Sequence, residues 1–120
     1  MRIIIPSDGN GFEGNLSGHF GRCPEFVLVE AEGKKVISAT SVKNPYFKEH
    51  IPFAVPEFLI GLKPNVIITG GMGHRAISEF KASKIEVITG AEGTIKETVG
   101  KFLEGKLECR GNICSHKDSE

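Results

Sequence analysis

Apolar residues in this chain come in short blocks whose period switches between that of a strand and that of a helix. Ile3-Ile4-Ile5 is a continuous apolar run, which reads as a strand buried on both faces, and Pro6 is expected to end it for want of an N–H. Residues 7–18 are rich in Gly, Asn, Asp and Ser and read as a loop. Phe26 to Val29 and Val36 to Val42 read as two strands joined through the Glu32-Gly33-Lys34 turn, an antiparallel hairpin. A loop from Asn44 to His50 follows. Val55, Phe58, Leu59 and Leu62 then recur at i, i+3, i+4 and i+7, predicting a helix with Pro56 in its first turn and Gly61 and Pro64 at its close. Val66 to Thr69 is a second continuous run. It stops at Gly70, Gly71 and Gly73, after which Ala76, Ile77 and Phe80 mark a helix to about Lys81. Ile85 to Thr89 is a further strand. The last helix carries the strongest signal, a Thr94-x-x-Glu97 capping box ahead of an apolar stripe of Ile95, Val99, Phe102 and Leu103. Gly100 inside it costs about 1 kcal/mol relative to alanine, and Gly105 supplies a stop. Residues 106–120 offer little to bury beyond Leu107 and Ile113 and are expected to form a mobile tail, leaving 1–105 as the folded domain.

The order strand, strand, strand, helix, strand, helix, strand, helix implies parallel pairing late in the chain with right-handed crossovers. With the hairpin this gives an α/β fold, a mixed sheet of about five strands in three α/β/α layers, whose element order resembles the ribonuclease H-like topology. The nucleases of that fold need carboxylates from several strand ends to hold two metal ions. Here Asp8 follows the first strand, but the fourth ends in Thr69 and glycines and the first helix offers only Glu57, which argues against a nuclease.

Composition narrows the picture. At 120 residues, one domain is expected, and 15 basic against 15 acidic residues leave no field to favour nucleic acid or an anionic membrane. No apolar run approaches the roughly 20 residues of a membrane span, and the N-terminus lacks the pattern of a signal peptide. Three cysteines, an odd number, fit a reducing compartment, so the cytoplasm is the expected location.

Three stretches could carry chemistry. The glycine turn allows close backbone approach, the N-terminus of the next helix directs unpaired N–H groups and a positive dipole end to the same place, and His74 and Arg75 stand on its rim. Ser17 to Phe26 gathers His19 and Cys23, an imidazole and a thiol suited to iron, copper or zinc, with Arg22 to neutralise an anionic ligand or lower the pKa of Cys23, although Cys23 also reads as a small buried hydrophobe. His50 adds a third imidazole from the loop before the first helix. In the tail, Cys109, Cys114 and His116 offer three ligands without the Cys-x-x-Cys pairs of zinc sites, and also read as solvated residues. Neither a nucleophile with its base nor paired acids is evident, so no enzyme activity is expected. A competing reading takes Gly71-x-Gly73-x-x-Ala76, with Glu92 about 20 residues on, as a loose nucleotide-binding fingerprint. Another is a regulatory interaction module with an empty cleft.

Ser-x-His-Phe-Gly-Arg-x-x-x-Phe near the N-terminus, Ala54-Val55-Pro56 opening a helix, Gly-Gly-Met-Gly-x-x-Ala after a strand, and the final amphipathic helix recur together. In that order they resemble the dinitrogenase iron–molybdenum cofactor biosynthesis family, the small NifX-like proteins and the C-terminal domain of NifB-like proteins, over nearly all of residues 1–105. Two positions depart from the pattern: Cys23 stands where alanine is common, and Phe53 where glycine is frequent. The resemblance implies a ribonuclease H-like domain that binds or carries the cofactor or its iron–sulfur precursor. It maps the binding positions to His19, Phe20, Gly21, Arg22, Gly71, Met72, Gly73 and His74, with Gly70 and Arg75 beside them. The function to expect is a non-enzymatic carrier or scaffold for an iron–sulfur or iron–molybdenum-type cluster. Its partners would be the cluster or its precursor and metallocofactor assembly proteins, its state a monomer or weak oligomer, and its fold independent of metal. The cluster would lie between the His19–Cys23 loop and the Gly70–His74 turn, where a metal–sulfur anion meets cations, amides and few ligands.

Overall fold

A computed structural model of the chain describes residues 1–18, 20, 22–46 and 54–105. The strands are β1 (Arg2–Ser7), β2 (Glu25–Glu32), β3 (Lys35–Lys43), β4 (Val66–Ile68) and β5 (Glu86–Ile88), and the helices α1 (Ala54–Gly61), α2 (His74–Ala82) and α3 (Ile95–Leu103). They build one sheet in the order β3-β2-β1-β4-β5. The pairs β3–β2 and β2–β1 are antiparallel, and β1–β4 and β4–β5 parallel. This is the mixed five-stranded sheet of ribonuclease H-like topology that the element order predicts.

The continuous apolar runs are continuous because both faces of the central strands are covered. Ile3, Ile5, Val66 and Ile68 point to one face, where α3 closes the layer with Ile95 and Val99. Ile4 and Ile67 point to the other, where Val55 and Leu59 of α1 and Ile77 and Phe80 of α2 cover them. A helix layer on each face gives the α/β/α sandwich. The outer strand β3 is exposed along most of its length, and Ile37 is 61% exposed. Lysines at both of its ends and a register shift opposite Glu30/Ala31 are devices that discourage pairing with further strands.

Three local expectations need correction. Pro6 does not end the first strand, which runs on to Ser7 with Pro6 opposite Phe26. The Pro6 carbonyl accepts from Ser17 N at 2.9 Å, so its nitrogen faces the same side, where pairing with β4 has already stopped at Ile4/Ile67. No ladder bond is lost there. The 7–18 segment is more ordered than a plain loop. It holds a 3₁₀ turn at Gly11–Glu13 and makes antiparallel bridges Ser7↔Leu16 and Asn15↔Thr94. Nor is Gly61 the residue that turns the chain out of α1. The left-handed residue is Lys63, at φ 57°.

The capping box is present in part: Thr94 Oγ1 accepts from Glu97 N at 3.2 Å, and the hydroxyl donates to the Glu97 carboxylate at 2.8 Å. Gly105, at φ 75°, closes α3 as expected. Among the described residues no helix is long and apolar enough to cross a membrane. The tail, 106–120, lies outside the described residues.

Candidate functional site

One edge of the sheet collects the segments singled out by their chemistry. Ser7 at the end of β1 pairs with Glu25 at the start of β2, which pairs with Lys43 at the end of β3. The parallel strands β4 and β5 end at the same edge, the usual position of a ligand crevice in α/β sheets. Beyond the last β1–β4 pair, Ile4↔Ile67, the two strands part. Residues Asn15 to Ser17 fill the gap like a short extra strand: Ser17 N donates to Pro6 O, Leu16 N to Gly93 O at 2.9 Å, and Leu16 packs on the α3-side core. With the α3 side stopped in this way, the side of α1 and α2, where Met72 packs, is the one left for a crevice.

The glycine turn faces that side. Thr69 N and Ala91 N knit it to β5 through Ile88 O and Thr69 O, and Gly90 N donates to Gly70 O at 3.0 Å. The three glycines are not there for left-handed backbone: none of Gly70, Gly71 and Gly73 is among the positive-φ residues, and Gly73 has φ −67°, ψ 154°. Gly70 is needed for close packing, since a Cβ would stand 3.2 Å from Ala91 O. Gly71 and Gly73 are exposed, and a Cβ on either would meet nothing within 4 Å. Neither conformation nor packing demands glycine at these two positions. They leave a bare strip of backbone leading into α2, whose N-cap, Gly73, provides no side-chain cap. The first-turn amides of an α-helix have no intrahelical acceptor, and α2 begins directly after this strip. His74 and Arg75 are exposed at this end, and Met72 is half-buried against the core beneath it.

The second loop packs against α2 through the last turn of that helix. The buried Phe20 ring packs at 5.9 Å from Phe26 and edge-on at 5.8 Å from Phe80 of α2. Phe20 is therefore the anchor of the loop, and Arg22, two residues on, is exposed. Cys23 departs from its expected place as a ligand. It is fully buried in the same cluster, its thiol donates to Phe20 O at 3.3 Å, and burial pushes its pKa up to about 12. Cys23 thus packs as the small buried hydrophobe that the sequence also allowed, away from the exposed glycine turn. Buried Asn44 fixes the backbone beside it, donating to Cys23 O at 2.9 Å and accepting from Tyr46 N at 2.9 Å.

His19, Gly21, His50, Phe53, Cys109, Cys114 and His116 lie outside the described residues. Among the described residues no group of three or more His, Cys, Asp or Glu side chains is placed to hold a metal ion. Among the described residues the glycine turn offers bare backbone at a helix N-terminus with exposed His74 and Arg75 beside it, and Arg22 is exposed on the second loop. The Gly71-x-Gly73-x-x-Ala76 turn does sit in a β4–α2–β5 unit, with Glu92 exposed four residues past β5. The sequence pattern missed Glu25, Ser7 and Leu16. Glu25 Oε2 accepts from Ser7 Oγ at 2.7 Å and from Gly11 N at 2.8 Å. The one signal for it was a lone acid following His19, Arg22 and Cys23.

The fold is a ribonuclease H-like α/β/α domain with an exposed glycine turn at the carboxyl edge of its sheet. Residues 1–105 match the family model described as dinitrogenase iron-molybdenum cofactor, and the chain belongs to that family. It is similar to the protein MJ0580 of Methanocaldococcus jannaschii, described as uncharacterised, with 33% identity over 110 residues covering 90% of each chain. Among solved structures it is similar to PH0822, at 33% identity and TM-score 0.83 over 93% of this chain and 96% of that one. It is also similar to the apo form of the orange protein from Desulfovibrio gigas, at 28% identity and TM-score 0.79 over 91% and 92%. A third similar structure is that of a putative NifB protein from Thermotoga, at 27% identity and TM-score 0.74 over 90% and 91%. Family membership associates the chain with the biosynthesis or binding of iron–molybdenum cofactor.

Proposed function

We propose that this protein is a carrier or scaffold that holds an anionic metal–sulfur cluster, an iron–molybdenum-type cofactor or its iron–sulfur precursor, and passes it to assembly proteins without transforming it. The observation that carries this reading is the bare, unstrained strip Gly71–Gly73 at the uncapped N-terminus of α2. Its glycines have no role in the fold and leave room for a ligand to touch backbone amides. A sulfur-rich anion is stabilised by such amides and by cations, here Arg75 at the start of α2 and Arg22 on the second loop, and needs few direct ligands, for which His74 offers an imidazole. The association of the family with the cofactor supports the choice of cargo.

Anaerobic reconstitution with iron and sulfide, read by visible absorption and iron counting, tests it. Gly71→Val is the informative variant, because the space around Gly71 is open and its backbone lies outside the left-handed region, so the fold tolerates the side chain. It is expected to weaken binding by about tenfold or more, a loss of at least about 1.4 kcal/mol. His74→Ala and Arg22→Ala are expected to weaken it in the same direction. No cluster on the wild-type protein, or full occupancy in all three variants, overturns the reading.

A further inference from the structure

Beneath the crevice runs a hydrogen-bonded chain that begins at one carboxylate. Glu25 Oε2 accepts from the hydroxyl of fully buried Ser7 and from Gly11 N, and Ser7 Oγ accepts in turn from Gly9 N at 3.1 Å. These bonds hold the near end of the segment that leaves β1. The far end fills the gap between β1 and β4. Asp8 N donates to Asn15 O at 3.1 Å, Leu16 N to Gly93 O, and Ile95 N of α3 to Gly14 O at 3.0 Å. The segment is tightly closed between its ends: a Cβ on Gly14 would stand 2.5 Å from Asn10 Cβ and 2.7 Å from Asp8 Oδ1. Its Leu16 Cδ2 lies 3.6 Å from where a Cβ on Gly70 would be, so Leu16 forms the floor under the glycine turn.

We infer that Glu25 is the positioning residue of this crevice, clamping the 8–17 segment through Ser7 and Gly11 so that Leu16 fixes the height of the Gly70–Gly73 turn. A carboxylate accepting two hydrogen bonds is a strong fixed point, whereas the segment it holds is rich in glycine and is tied to the core through two apolar side chains, Phe12 and Leu16. Without the clamp, local opening of 8–17 becomes cheaper than opening of the core, and the floor of the crevice is no longer in one place. The link to affinity rests on the proposed cluster-binding reading, whereas the clamp itself does not.

Amide hydrogen exchange and iron–sulfide reconstitution on the full chain separate the two. In Glu25→Ala, exchange at Leu16, Ser17, Gly90 and Ala91 is expected to rise about tenfold or more, the effect of some 1.4 kcal/mol of lost local protection. Val27 and Val29 in the core should stay unchanged, and cluster affinity should fall. Glu25→Gln retains an acceptor oxygen and is expected to restore most of both. Ser7→Ala keeps the Gly11 bond but loses both the link to Glu25 and the Gly9 bond, so it should also raise exchange at the same amides, and it carries the test if Glu25→Ala does not fold. A uniform rise that includes the core, no rise at all, or a local rise with unchanged affinity in a wild type that does bind overturns the inference. A wild type that binds no cluster overturns the proposed function, and the exchange data still decide whether Glu25 holds the turn.

Discussion

The Cys23 thiol lies in a cluster with Phe20, Phe26 and Phe80, and its pKa is pushed from 9.0 to about 12, chiefly by burial. Below pH 9 the folded and unfolded chains both keep the proton, and the stability that goes with the neutral buried thiol is fully present. As pH climbs from 9 through about 12, the unfolded chain releases a proton that the folded chain retains, and that stability is lost. The urea midpoint of the wild type should therefore drop more between pH 8 and pH 10.5 than that of Cys23→Ala. At neutral pH Cys23→Ala is expected to cost about 1–2 kcal/mol as a small core truncation, while iron binding on reconstitution stays at the wild-type level. Loss of the cluster in that variant would return Cys23 to the site. Residue chemistry alone could not decide this point. Next to His19 and Arg22 a thiol reads as a ligand, and only the packing of Phe20 against Phe80 shows that the loop turns Cys23 inward. Gly71 and Gly73 were legible as a turn, but their reason was not, because composition does not tell left-handed backbone from open space.

Each helix leaves through the same exit, with a different residue in it. At the end of α2, Lys84 N donates to Lys81 O at 2.9 Å and Ile85 N to Phe80 O at 2.9 Å, the two bonds of a Schellman motif, with Ile85 and Phe80 in one apolar cluster. The left-handed position in it is Lys84, at φ 63°. At α1 Lys63 N donates to Ile60 O at 3.0 Å, and the second bond is missing because Pro64 has no N–H. At α3 the position is Gly105. A side chain in the left-handed region costs on the order of 1 kcal/mol that glycine avoids, part of which returns as glycine's greater freedom in the unfolded chain. Lys84→Gly is thus expected to stabilise the protein by about 0.5 kcal/mol and to raise its Tm by a few degrees in a thermal melt. An unchanged or lowered Tm would mean that the aliphatic stem of Lys84 contributes more than its backbone costs. Helix existence was legible from the stripes of Val55/Leu59, Ile77/Phe80 and Ile95/Val99. Their exits were not, because lysine carries no signal for positive φ, and the span of β1 was misjudged because proline is harmless on the side where β4 has parted from it.

At the scale of the whole molecule, the described residues build two apolar layers, and β1, β2, β4 and β5 supply alternate side chains to both. Stability should then be indifferent to metal: far-UV circular dichroism and Tm are expected to be the same with and without chelator. Unfolding by chelator would assign a structural metal to the protein. Strand order and layering were legible from element order alone, because short connections and right-handed crossovers leave few arrangements. The site was legible only as a place, since which loop meets which helix depends on Phe20 and Leu16, two apolar residues without chemistry of their own.

The β2–β3 hairpin supplies a practical handle. Its Gly33-Lys34 turn, with Gly33 at φ 64°, joins the strands at Glu32↔Lys35, at the opposite end of the ladder from Ser7↔Glu25↔Lys43. Eight residues of β2 separate the two edges, about 25 Å of extended chain. Both turn residues are exposed, and a Cβ on Gly33 would meet no neighbour. A dye, tag or inserted peptide placed at Lys34 would thus sit at the blunt end of the sheet. Under the proposed carrier role, loading and release at the other end can then be followed by energy transfer or pull-down on a resin without covering the glycine turn.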